Sequence, residues 1–140
     1  MTIIAVRDGV MAVDSLLSER DMVIGHVQKW RAVPEDRGGG FIAATGQVGM
    51  SLKAMDDFLV SDTDMPNDVT AVHLRADGTV WTSESGPWFK YSAEFYAEGY
   101  AKAAVAAMMA GASAKEAVQI VCKLFPGSCG GEIHVLSVNQ

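Results

Sequence analysis

The sequence predicts an α+β fold in which two stacked sheets are flanked by helices, a four-layer αββα sandwich. Three observations carry this expectation. The elements run as strands, a helix, more strands, two helices and a closing strand; hairpin signals stand at Asp8-Gly9 and Asp77-Gly78; and the strands are apolar enough to be covered on both faces. A two-layer α+β domain, with one sheet and helices on one side, is the alternative that the same order allows.

Residues 2–7 and 10–14 are β-branched or apolar runs around Asp8-Gly9, predicting a hairpin whose first strand residue is Thr2. GHVQKWRAV alternates and predicts a strand, PEDRGGG a turn, and FIAA a short buried strand running into Thr45-Gly46. From Val48 the interval changes: Val48, Leu52, Met55 and Leu59 recur at helical spacing and predict an amphipathic helix over 48–60. SDTDMPND follows as a polar loop, and VTAVHLRADGTVWTSE as a second hairpin. One helix is expected over about 93–110, ending at Gly111. The next opens with Ser113 and Glu116 at capping-box spacing and stops before Pro126-Gly127. EIHVLSV is the closing strand. No repeat, low-complexity tract or linker divides the chain, so residues 1–140 read as one domain.

A chain of 140 residues buries roughly two-thirds of the surface its unfolded form exposes, and 49% hydrophobic against 20% charged residues favours a packed core over disorder. The net charge of -6, with no basic cluster, speaks against a nucleic-acid partner. Cys122 and Cys129 are too few for a disulfide framework; with no signal-peptide pattern at Met1 they read as two thiols in a reducing cytoplasm. YAKAAVAAMMAGA, interrupted by Lys102, falls short of the about 20 apolar residues of a membrane span, so no membrane partner is expected.

The opening MTIIAVRDG places Met1 before a residue as small as threonine, and its removal by methionine aminopeptidase is expected to leave a free α-amine on Thr2. With a three-residue loop at Asp8-Gly9-Val10, Asp14 sits opposite Ile4 and diagonal to Thr2 on one face, at about 7–8 Å. A two-residue loop turns it to the other face. Lys29, if it turned inward beside Asp14, would stay charged and favour proton loss from the Thr2 hydroxyl. Gly46 joins a buried strand to a helix start, where free N–H groups and the helix dipole suit an oxyanion. Taken singly, each has an ordinary structural reading: Asp14 ends a strand, Lys29 points into water, Gly46 serves a tight turn. Together they make a complete acyl-transfer machine, a threonine whose own amine is the base, an acid and a cation to set its charge, and an N–H pocket.

These residues resemble the proteasome β subunits and their bacterial relative, the HslV peptidase. TIIAVRDG followed by a strand ending in Asp looks like that family's opening, GHVQKWRAV is similar to its Gly-x-Val-x-Lys strand, and AATGQVG looks like its oxyanion-hole turn. The closing CGGEIHVLSV is similar to its Ser-Gly-Gly plus final strand, which extends the likeness over nearly the whole chain. The resemblance implies an N-terminal-nucleophile (Ntn) hydrolase with Thr2 as nucleophile and base, Asp14 and Lys29 as its electrostatic partners, and Gly46 as oxyanion donor. It further implies a cytoplasmic threonine peptidase, a homo-oligomeric ring enclosing the sites, a peptide or unfolded-protein substrate, and an ATP-dependent unfoldase as partner, with no cofactor. Two departures stand beside it. FYAE occupies the place before GYAKAAVAA where the family has a serine–glycine pair, Ser85-Gly86 lying nearby, and PGSC puts Pro126 and Cys129 in the family's Asp-x-x-Ser positions. These departures, with Met1 ahead of Thr2, carry a second reading, a catalytically inactive assembly subunit of the same fold. A third is a small-amide hydrolase outside any protein-degrading machine.

Other features read as structural. His26, His73 and His134 fall in predicted strands with no cysteine or carboxylate at metal-ligand spacing. SDTDMPND lacks the glycine and terminal glutamate of a calcium loop, Cys129 lies near no evident base, and Trp81, Trp88, Phe89 and Tyr91 suit a core or a subunit contact.

Overall fold

The computed structural model of the chain describes residues 1–19 and 22–139. Its first sheet is four-stranded and begins with the N-terminal hairpin, β1 (Ile4–Arg7) and β2 (Val10–Val13). Pairing runs from Ile4↔Val13 to Arg7↔Val10, so the loop has two residues, Asp8 at φ 55° and Gly9 at φ 74°. Both central residues at positive φ give the turn whose twist matches the strands. Of the two loop lengths that the sequence leaves open, the structure has the shorter, and Asp14 falls opposite Ile3 instead of Ile4. Thr2 and Asp14 lie just beyond the strand ends.

A small hairpin follows, β3 (Leu16–Glu19) and β4 (Met22–His26), bulged between Leu17 and Ser18. Its short runs carry no clean alternation, so the sequence does not signal this hairpin. The single strand expected from GHVQKWRAV is broken: β4 ends at His26, residues 27–29 are irregular, and β5 (Trp30–Ala32) belongs to another sheet. Next come a single turn at Glu35–Arg37, β6 (Phe41–Thr45) and α1 (Val48–Phe58), close to expectation. Hairpin β7 (Thr70–Leu74) and β8 (Val80–Glu84) forms about Asp77-Gly78, and β9 (Trp88–Tyr91) completes a five-stranded antiparallel sheet ordered β5-β6-β7-β8-β9.

The helix expected over 93–110 is half strand. Residues Phe95–Glu98 form β10, paired with β1 from Ile4↔Glu98 to Arg7↔Phe95, and only Ala101–Met109 form the helix α2. Gly99 and Tyr100, at φ 73° and 48°, separate the two. Phe95 and Tyr96 favour a strand, and pairing on the open edge of β1 buries Tyr96, while the alanine-rich segment that follows keeps its helix. Helix α3 (Ala114–Leu124) carries the expected capping box: Glu116 N–H donates to Ser113 Oγ at 3.1 Å and Ser113 N–H to Glu116 Oε1 at 3.0 Å. Strand β11 (His134–Ser137) joins β2, giving the order β10-β1-β2-β11. All three histidines lie on strands.

Alternation along β1 and β2 sorts side chains into two clusters. Ile3, Ala5 and Ala12 pack with Ala104, Met108, Ala117, Val118 and Val121 of α2 and α3, small residues letting the helices approach the sheet. Ile4, Val6, Met11 and Val13 meet Ala43, Val72 and Leu74 of the other sheet. A third cluster places Ala54, Met55 and Phe58 of α1 on Ile42, Ala44 and Ala71.

His73 lies on that third face, 1% exposed, its Nε2 bonded to the Gly39 carbonyl at 2.7 Å and its ring edge-on to Phe58. Burial holds its pKa below the ordinary imidazole value, outweighing the Gly39 bond. A depressed folded pKa means that the unfolded chain takes up the proton first. His73 thus contributes stability at neutral pH that is lost as pH falls below about 6.5, by at most about 1.4 kcal/mol per pH unit. Urea unfolding across that range is expected to show a shallower loss in His73→Gln than in the parent.

Candidate active site

Asp14 is fully buried at the end of β2, its backbone N–H donating to the Ile3 carbonyl at 3.3 Å. One oxygen, Oδ1, accepts the Ile3 N–H at 3.0 Å; the other, Oδ2, accepts the Gly130 N–H at 3.1 Å. Lys29 Nζ donates to both, at 3.1 and 3.0 Å. The two-residue loop therefore does not remove Asp14 from the site. Beyond the last paired residue, Asp14 reaches the strand end next to Thr2 by accepting the N–H of Thr2's own neighbour.

Lys29 is 5% exposed, which the sequence reading made conditional on its turning inward. The break between β4 and β5 permits this. Val27 N–H is tied to the Ser15 carbonyl at 2.8 Å, and the irregular residues after it free Lys29 from the strand's in–out alternation. A buried ammonium and carboxylate are tolerable only when paired and hydrogen-bonded, and here the carboxylate has four donated contacts.

Gly46 sits between β6 and α1 at φ 134°, and a Cβ on it would lie 2.6 Å from the Asp68 carbonyl oxygen. Backbone conformation and space both demand glycine there. Gln47 caps the helix, its side-chain oxygen accepting the Met50 N–H at 2.8 Å. Gly46→Ala is expected to cost about 1–3 kcal/mol of stability through strain, read as a lower urea midpoint.

Thr2, Lys29 and Gly46 line one cleft of about 500 Å³, whose walls include Leu16, Leu17 and Ile24 of the small hairpin. All four residues singled out from the sequence are thus brought to one end of the molecule. Met1 shares the cleft, and its ammonium donates to the Ser128 carbonyl at 2.5 Å. Two contributors escaped the sequence reading. Gly130, within the CGG motif, acts through its backbone, which no side-chain signal reveals. Glu98 of β10 lines a second cavity with Thr2 and Gly46, and was hidden by the helix expected over it. Cys129 is buried, as a structural thiol, with Cys122 beside it.

The architecture is α+β and the fold is HslV-like, of the proteasome type. Solved chains that match it over nearly their full lengths include the Thiobacillus denitrificans protein BPH, alone and in complex with epoxomicin. The epoxomicin complex has a TM-score of 0.70 at 16% identity, covering 99% of both chains. The crystal structure of eukaryotic HslV from Trypanosoma brucei has a TM-score of 0.67 at 17% identity, covering 98% of this chain and 99% of that one. No family model matches the sequence, and no curated protein matches it in a sequence search. At these identities the likeness is one of fold. No helix among the described residues is long and apolar enough to cross a membrane.

Proposed function

We propose that the chain is an N-terminal-nucleophile hydrolase of the threonine type that cleaves amide bonds after Met1 is removed. The observation that carries this reading is the buried Asp14–Lys29 pair, held by the N–H of Ile3, the residue that follows Thr2. With a free terminus, the Thr2 α-amine takes the proton of its own Oγ1 as the oxygen attacks the substrate carbonyl. Lys29, paired with Asp14, favours the alkoxide through its field, and the Gly46 N–H receives the oxyanion. A preorganised donor of this kind contributes about 10²–10³-fold in rate. Collapse expels the leaving amine with the proton held by the α-ammonium, and water then releases the acyl group from the Thr2 ester.

Packing of α2 and α3 on one sheet, the two sheets on each other, and α1 on the second sheet supports a four-layer αββα sandwich in a single domain of residues 1–140. The resemblance to HslV-type chains extends the proposal to a cytoplasmic ring of identical subunits degrading peptides or unfolded proteins, with an ATP-dependent unfoldase as feeder. A second reading, a non-catalytic assembly subunit, is favoured by Pro126 and Cys129 standing where the family that the chain resembles has aspartate and serine. Intact mass of protein from its native host, with a threonine-reactive inhibitor added, separates the two. Loss of Met1 with one adduct supports the hydrolase; retained Met1 without adduct supports the subunit.

A further inference from the structure

We infer that Glu98 makes the cavity on its side of Thr2 selective for substrates that carry a positively charged side chain. The inference rests on the reading of Thr2 as nucleophile and adds the substrate class.

Pairing of β10 with β1 puts Glu98 directly opposite Ile4, so its side chain shares Ile4's face, the one turned toward the second sheet. At that end of the sheets a cavity of about 520 Å³ is lined by Thr2, Thr45, Gly46, Glu98 and Tyr100. The strand is held tight against the nucleophile's backbone, because a Cβ on Gly99 would collide with the Thr2 carbonyl oxygen. Glu98 therefore cannot swing away with its strand.

The carboxyl is half-buried and has no cationic side chain beside it; the ammonium of Met1, a residue that also lines the cavity, donates instead to the Ser128 carbonyl. Among the described residues it makes no ion pair, and no lysine or arginine lines the cavity. Its polar neighbours are the Tyr96 hydroxyl, itself within 3.2 Å of Thr82 Oγ1, and the backbone at Gly99; its charged neighbour is Glu84, of the same sign. Burial and Glu84 push the carboxyl above the usual range, the mark of a group whose ionised form is short of compensation. Lys29 does not compensate it, since Asp14 already takes that charge. An ammonium or guanidinium on a bound peptide would supply the missing partner, in a site where the attraction is poorly screened.

The test uses Met1-free protein and a set of fluorogenic peptides that differ at one residue beside the cleaved bond, arginine, leucine or glutamate. At one position, arginine is expected to exceed leucine by about tenfold or more in kcat/KM, mostly through KM, with glutamate lowest. In Glu98→Gln, which keeps the size of the side chain, the arginine-to-leucine ratio falls to near one; in Glu98→Lys it inverts in favour of glutamate. Equal rates for all three peptides, or an arginine preference that survives Glu98→Gln, overturn the inference while leaving the hydrolase intact. If no peptide is cleaved and no adduct forms, the hydrolase reading fails, and binding decides the inference separately. Tighter binding of N-acetylarginine amide than of N-acetylleucine amide, lost in Glu98→Gln, upholds the cation site, and equal binding sinks it.

Discussion

Thr2→Ala, in protein freed of Met1, is expected to abolish peptide hydrolysis and inhibitor labelling, a fall of about 10³-fold or more in kcat. The size follows from the economy of the site. The hydroxyl is the nucleophile and the amine of the same residue is its base, so no second side chain retains partial catalysis when the oxygen is gone. The unfolding midpoint is expected to stay within the scatter of surface substitutions, since Thr2 lies outside the strands and partly exposed on a cavity wall. Thr2→Ser keeps the oxygen and the amine and is expected to retain activity. Hydrolysis that persists in Thr2→Ala would place the nucleophile elsewhere and remove the basis of the proposed mechanism.

Asp14→Ala is expected to give the largest loss of stability of any single change at the site, about 3–5 kcal/mol by denaturant unfolding. Removing the carboxylate strands the Lys29 ammonium at 5% exposure and leaves the N–H groups of Ile3 and Gly130 without their acceptor. Lys29→Met removes the other charge and leaves a buried carboxylate that keeps both backbone donors, so its cost is expected to be smaller. Because a buried pair is weak evidence for net stability, Asp14→Leu combined with Lys29→Met is expected to recover part of what Asp14→Ala loses, yet to show no hydrolysis. Stability that recovers without activity assigns the pair an electrostatic task at Thr2 beyond holding strand ends together. A double variant that still cleaves peptides would reduce the pair to scaffolding.

Local chemistry was sufficient wherever an element's signal lay within a few neighbouring residues. The turn residues Asp8-Gly9 and Asp77-Gly78, the helical spacing of Val48, Leu52 and Met55, the Ser113–Glu116 box and the closing apolar run were all read correctly, because turns, caps and periodicity depend on adjacent backbone geometry. Thr2, Asp14 and Gly46 come to one end of the molecule for the same reason, since each stands near a strand end that such signals mark, whereas Lys29 does not.

What lay beyond that reach was pairing between distant segments. FYAE, expected within a helix over 93–110, becomes β10 because Phe95 and Tyr96 suit a strand and β1 offers an edge on which Tyr96 can be buried. GHVQKWRAV alternates like one strand and is divided between a hairpin and the second sheet, the break that lets Lys29 turn to Asp14. Gly130 reaches Asp14 from the far end of the chain. These outcomes follow from competition among edges, charges and apolar faces that meet only in the packed chain, where one uncompensated charge or one unpaired edge outweighs the small propensity differences a short window of sequence can express.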